Sequence, residues 1–223
     1  MNNLYYKTRE DKPKWVVDNF PELFKAPSIL DIGCDKKQLK RYIPENTHYI
    51  GLDISKEADI NFNLDSGNVL PFKDREFNLV VALDILEHIE NIHQIFDELC
   101  RVSSKSILIS LPNNLQSAIK GYIFRKYNKD KNYQLQHGKY SKFYGLPFEK
   151  PEDRHRWFFN SEEAESFVNY RANKNGFNVV GIKYEIDMQS TIRKIFRFII
   201  VGFSRRRMLD FFSGTIFFVL EKK

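Results

Sequence analysis

Three groups of residues in this chain have the types and spacing to do chemistry. Gly33 follows Asp31 and Ile32 at the end of one apolar run, and Asp53 closes a second run about twenty residues further on. A bound nucleoside needs such a pair: a tight turn after one strand, and after the next an acid that accepts hydrogen bonds from both ribose hydroxyls. The second group is LEHIEN, Leu86 to Asn91, which offers Glu87, His88 and, just beyond, His93. Those histidines are five apart, not at the i, i+4 spacing of a helical zinc pair, and no third ligand is evident. Acids opening the next helix account for Glu87 and Glu90, so no metal is expected. The third is His155 in DRHRWFF. It is the candidate for proton transfer, because histidine titrates near neutral pH and this one precedes a helix on the expected site side. A surface histidine flanked by Arg154 and Arg156 is the alternative, and His137 is a weaker candidate.

Regular elements must position these residues. Lys14 to Phe24 carries a rough helical stripe behind Pro13 and reads as an entry helix. Ser28 to Ile32 and Thr47 to Leu52 read as strands, with room for about two helical turns at Lys36 to Ile43. A possible strand at Asp59 to Leu64, a turn at Pro71-Phe72, a strong strand at Phe77 to Leu83, a helix at Ile92 to Val102 and a strand at Ser106 to Leu111 follow. This alternation predicts a doubly wound α/β domain with a Rossmann-like sheet of about seven strands, mostly parallel with an antiparallel last strand. Ligands in such sheets sit beyond the carboxyl ends of the strands.

From about 114 to 157 the pattern gives way to an aromatic and basic insertion, including Tyr122, Phe124, Tyr127, Tyr133, Tyr140, Phe143, Tyr144 and Phe148. Irregular stretches of this length inside a domain are functional lids or disordered insertions as a rule. A helix at Ser161 to Lys174, with Ser161 as cap and Gly176 as stop, a strand at Phe177 to Ile186, a basic and apolar helix near Ile192 to Phe203 and a strand at Thr215 to Leu220 complete the expected order.

Composition sets the outer bounds. With 223 residues, 42% hydrophobic and 29% charged, the chain suits one globular domain spanning 1–223. Cys34 and Cys100 lie far apart without a CxxC pattern, so neither a disulfide framework nor a zinc site is indicated. The first fifteen residues lack the apolar run of a signal peptide, and no stretch reaches the roughly 18 apolar residues of a spanning helix, which predicts a cytoplasmic protein. The net charge of +6 is local: six basic residues and no acidic one lie between Met188 and Leu209. That segment packs on the sheet through its apolar stripe, or closes over an apolar substrate, or touches an anionic membrane surface through residues 192–207.

The phrases ILDIGCDKKQL, YIGLDIS, NLDSGNVLPFKDREFNLVVALDILEHIEN and SILISLPNN, in this order, resemble the class I S-adenosylmethionine-dependent methyltransferases, in particular their small-molecule enzymes. The resemblance covers Ser28 to about Asn114 closely and Arg154 to Leu220 more loosely. It implies S-adenosylmethionine as cofactor. It places Asp31, Gly33 and Cys34 in the motif that receives the methionine part, with Asp53 on the ribose hydroxyls and Ile54 on the adenine. Asp65 then accepts from the adenine amino group with Leu64 beside it, and Leu83 and Asp84 line the cofactor near its sulfonium. The implied reaction is direct methyl transfer to a small-molecule, glycan-linked or lipid-linked acceptor, with donor and acceptor aligned and water excluded. Its aromatic and basic segments favour an acceptor that combines an apolar with an anionic group.

One departure generates a rival. The family's turn usually carries glycines where this chain has Asp35 and Lys37, and side chains there crowd a ligand, which is the expectation for a degenerate, non-catalytic binding relative. A second rival, an RNA methyltransferase, rests on the basic aromatic segments. Against it, SLPNN lacks the Asn/Asp-Pro-Pro-aromatic signature of base-amino enzymes, so nucleic acid is not the expected partner.

Overall fold

Successive side chains of a strand point to opposite faces, yet Ser28–Ile32 and Phe77–Leu83 are buried at nearly every position, so both faces of these strands must be covered. The structure is a computed structural model that describes residues 5–6, 8, 10–115, 155–186, 210 and 212–223. Strands β1 (Ser28–Ile32), β2 (His48–Asp53), β3 (Ile60–Asn61), β4 (Phe77–Leu83), β5 (Ser103–Pro112), β6 (Phe177–Ile186) and β7 (Ser213–Lys222) form one sheet in the order β3-β2-β1-β4-β5-β7-β6. The pairs from β3 through β5 are parallel, whereas β7 runs antiparallel between β5 and β6. This is the expected doubly wound sheet with its antiparallel last strand.

Alternation along the strands sorts the core onto two faces. Leu30, Ile32, Val80, Ala82, Ile107 and Ile109 pack on one side with helices α2 (Ile92–Val102) and α3 (Ser161–Lys174). Ile29, Leu79, Val81, Leu108 and Phe217 face the other side, covered by Trp15 and Val16 of helix α1 (Lys12–Asn19). The stripe expected on α2 is the buried one, with Ile92, Ile95, Phe96 and Leu99 all inside. Arg101, at the end of α2, fixes the loop before β4 by donating to the carbonyls of Leu70 and Phe72, while the Glu98 carboxylate accepts from the Leu70 N–H.

Four elements differ from expectation, each for a local reason. The entry helix expected over Lys14 to Phe24 runs instead over Lys12–Asn19 and stops ahead of Pro21, with a separate 3-10 turn at Leu23–Lys25. No two-turn α-helix forms at 36–43; the chain makes a 3-10 stretch over Gln38–Tyr42, because Lys37 has φ 52, a left-handed conformation that cannot lie inside a right-handed helix. Only Ile60–Asn61 of the expected third strand pairs, since the Asn63 side chain accepts from the Asp65 N–H and starts a 3-10 turn over Leu64–Ser66. Asn160, not Ser161, caps α3: its side chain and that of Glu163 satisfy each other's backbone N–H groups in a capping box. Gly176, at φ +76, follows the helix end as expected.

Most of the aromatic insertion and the basic helix near 192–203 lie outside the described residues. The insertion's two ends are described, and they meet: Asn114, 1% exposed, donates from Nδ2 to the Trp157 carbonyl at 2.8 Å. Its neighbour Asn113, fully buried, donates to the Asp210 carbonyl and Ser213 Oγ, joining the end of β5 to the start of β7. Among the described residues no helix is long and apolar enough to cross a membrane.

Removing the cap tests this account of α3. Asn160→Ala should lower the unfolding free energy by about 1 kcal/mol, read as a lower urea midpoint with an unchanged m-value.

Candidate functional site

The turn after β1 brings the first set of predicted residues together. Gly33 has φ +75, and a Cβ there would lie 2.8 Å from Ile85 Cγ1, so only glycine lets this turn abut the loop leaving β4. The N–H groups of Gly33 and Cys34 point to the Leu52 carbonyl, at 2.8 and 3.4 Å, tying the turn to the end of β2. Asp35 and Lys37 both take positive φ, 45 and 52. The chain therefore keeps a glycine-type backbone at the two positions where the family pattern has glycine, although each left-handed non-glycine residue costs roughly 1–2 kcal/mol. The Lys37 side chain is drawn aside over β2, where its ammonium meets Asp59 at 2.7 Å.

Asp53 stabilises this turn. One carboxylate oxygen accepts from the Asp35 N–H at 3.0 Å and the other from the Ser55 N–H at 2.8 Å. Each oxygen keeps further lone-pair capacity for ribose hydroxyls. Beside it Ile54 is 70% exposed, a large apolar side chain that an adenine would cover. These features fit S-adenosylmethionine. Leu64 is buried, and Asp65 accepts from the Glu90 N–H at 2.8 Å and lies 3.5 Å from Arg156, so the 3-10 turn over Leu64–Ser66 is clamped to the residues after β4.

Two buried groups in the motif take structural parts. Asp31 accepts from the Tyr49 hydroxyl at 2.6 Å, and burial, against the pull of that hydrogen bond, pushes its carboxyl up to about 6. Burial, with the charges of Asp31, Asp53 and Asp59 adding to it, pushes the Cys34 thiol up to about 12, which leaves it protonated and unreactive. Its sulfur fills the space over Gly51, where a Cβ would fall 2.7 Å away.

At the ends of β4 and β5 the expected Asp84 stands in a polar cluster with Lys12 and Ser110, two residues that sequence reasoning missed. Asp84, at φ 51, receives the ammonium of Lys12 on one carboxylate oxygen and the Ser110 hydroxyl, at 2.7 Å, on the other. Lys12 also donates to Ser110 Oγ at 3.1 Å, and its ammonium sits over the rings of Tyr6 and Phe217. Leu83, half-buried, packs beneath on the α1 face. One signal for Lys12 was in the sequence: a cation in the first turn of a helix opposes the helix dipole, so some other interaction must hold it there.

On the opposite face, His155 joins the loop after β4. Its ring meets that of His88 edge to face, centroids 4.5 Å apart, and Glu87, His88 and His155 present ligand atoms within 4.8 Å of one another. His93 is not part of this group and packs instead against Trp157 and Phe167. A strap of hydrogen bonds holds the segment in place: Arg156 N–H to the Glu87 carbonyl, Arg156 Nε to the His88 carbonyl, and Trp157 Nε1 to the Ile89 carbonyl.

Two measurements probe these assignments. Asp53→Ala should weaken S-adenosylhomocysteine binding by about 1.5–3 kcal/mol in calorimetric titration, since both the ribose contact and the support of Asp35 are lost. Asp31 has its pKa raised in the fold, so its contribution to stability is present at low pH and is lost as pH rises through about 6. Asp31→Asn should therefore flatten the fall in urea stability between pH 4 and pH 6.5, by on the order of 3 kcal/mol at most.

The methyltransferase-domain family matches residues 5–181. No curated protein matches the chain in sequence. Among solved structures, the chain is similar to an S-adenosylmethionine-dependent methyltransferase from Archaeoglobus fulgidus, at TM-score 0.59 and 16% identity over 97% of this chain and 95% of that one. It is also similar to the plantazolicin methyltransferase BamL, solved with a triazolic desmethylPZN analog and SAH, at TM-score 0.58 and 14% identity over 97% and 86% of the two chains. A third is magnesium protoporphyrin IX methyltransferase from Synechocystis PCC 6803 with bound SAH, at TM-score 0.53 and 13% identity over 96% and 83%. At such identities these structures share a fold, and the match that spans most of the sequence supplies the family. The chain belongs to the methyltransferase-domain family and is an S-adenosylmethionine-dependent methyltransferase.

Proposed function

We propose that this enzyme methylates a small-molecule, glycan-linked or lipid-linked acceptor that carries an anionic group, and that the acceptor enters beside Asp84. The observation that carries this reading is the buried cluster of Lys12, Asp84 and Ser110 at the ends of β4 and β5. It is bracketed by α1 on one face of the sheet and by the 155–157 strap on the other. Polar groups fixed in direction at one point, with apolar packing around them, suit a small group better than the face of a folded macromolecule. BamL and the protoporphyrin enzyme, by their names, act on small molecules, which agrees with this reading.

S-adenosylmethionine supplies an electrophilic methyl group. Within this chain, the turn at Gly33 to Lys37 and the carboxylate of Asp53 would hold and orient the nucleoside, and Ile54 and Leu64 would flank the base. Asp84 supplies negative charge near the site of transfer, and Lys12 and Ser110 fix the direction of its carboxylate. An ammonium has three donors. Among the described residues those of Lys12 go to Asp84 and Ser110, which leaves one for an acceptor oxygen. Alignment and exclusion of water then provide the rate enhancement, and no general base is required for a good nucleophile.

The left-handed backbone at Asp35 and Lys37 favours catalysis over the degenerate-relative reading, because it retains the turn that glycines would give. The basic segments behind the RNA reading lie outside the described residues. Incubation with methyl-labelled cofactor and fractionated extract should put label into an anionic small-molecule or lipid fraction; label found only in protein or RNA would overturn the proposal. Lys12→Met should lower methyl transfer to that acceptor by about tenfold or more while S-adenosylhomocysteine affinity changes by less than about threefold, since misalignment costs rate before it costs cofactor binding.

A further inference from the structure

We infer that Glu87, His88 and His155 form a divalent transition-metal site on the loop that leaves β4. Two imidazoles and one carboxylate are a ligand set suited to zinc, cobalt, manganese or ferrous iron, with positions left open for a further ligand. Their ligand atoms lie within 4.8 Å of one another, and tetrahedral coordination at about 2.1 Å needs edges of about 3.4 Å, so modest side-chain rotation closes the site. The backbone carrying the ligands is already fixed. Arg156 and Trp157 bind the carbonyls of Glu87, His88 and Ile89, which holds His155, distant in sequence, against the other two.

Burial and charge favour a cation here. Glu87 is 1% exposed, so a cation held at this carboxylate would be shielded from water, where charge–charge attraction is strong. The His88 ring lies 3.8 Å from the same carboxylate, and Arg156 pairs with Asp65 and Glu90, at 3.5 and 2.9 Å, beside the site. The site is on the same loop as Asp84, three residues on, and Ile85 between them touches the Gly33 turn. A cation there would hold an acceptor through its oxygen atoms; this role, unlike metal binding itself, rests on the acceptor entering beside Asp84.

The test uses the full chain, stripped with chelator and titrated with cobalt(II) and zinc. Visible absorption bands of bound cobalt and a calorimetric stoichiometry near one are expected. His155→Ala and Glu87→Gln should each weaken zinc binding by at least about tenfold, the low end for loss of a metal partner, while His93→Ala leaves it unchanged. S-adenosylhomocysteine titration of the same samples reports folding and the cofactor site independently. Cofactor binding without stoichiometric metal, or metal affinity indifferent to both His155→Ala and Glu87→Gln, would overturn the metal site alone. Metal binding retained with no labelled acceptor would leave the site standing and remove its assigned role.

Discussion

The turn that closes β1 is the constraint on which the rest of the sheet end depends. Its backbone must reverse beside β2 and still pass under the loop from β4, and the contact between Gly33 and Ile85 leaves no room for a methyl group. Asp35 and Lys37 then hold left-handed angles that their side chains disfavour. Such strain persists only where surrounding contacts over-determine it. Here Asp53 grips the Asp35 N–H, the Leu52 carbonyl grips Gly33, and Lys37 is anchored on Asp59. Asp53, the residue that the sequence offers for a ribose, is thus the same one that keeps the turn in shape, so a ligand on this carboxylate would act on the backbone order of the turn.

The strand ends that carry the candidate cofactor residues were legible because each is local. Gly33, Asp53 and Asp84 each stand at the end of a strand whose apolar run is visible, and the order of strands fixes that these ends come together, whereas Asp65 falls in a 3-10 turn after a strand of two residues. The two helices with the clearest period or cap, at Ile92–Val102 and Ser161–Lys174, were found to the residue. What failed was short. A 3-10 stretch of five residues and a strand of two have no period to detect, and the backbone angle at Lys37 that shortens the first is not encoded by residue type, since lysine rarely adopts it.

The polar groups beyond the strand ends were not legible, because they are built from contacts between distant parts of the chain. Lys12 meets Asp84 across 72 positions and Ser110 across 98. His155 was singled out alone, and the histidine weighed beside His88, and set aside on its spacing, was His93; the ring that meets His88 is that of His155. Spacing rules for metal ligands assume one helix or one turn, so they are blind to a ligand supplied by a strap whose register is set by Arg156 and Trp157 binding carbonyls. The grouping weighed in the sequence, Glu87, His88 and His93, is not the one that the fold assembles, because His93 packs on Trp157 and Phe167 while His155 meets His88.

This division has a physical logic. Buried polar groups are costly unless each is matched, and the end of the sheet carries several: Lys12, Asp31, Glu87, Ser110, Asn113 and Asn114. The centre of the sheet carries almost none, with Leu30, Val80, Ala82, Ile107 and Ile109 inaccessible on one face and Ile29, Leu79 and Val81 on the other. Apolar burial in the strands therefore stabilises a frame whose carboxyl end can hold polar residues in fixed directions. Groups carried by the strand ends themselves change little when loops are exchanged. The residues beyond them, on α1, on the loop after β4 and on the strap that closes the insertion, can vary without disturbing the turn at Gly33.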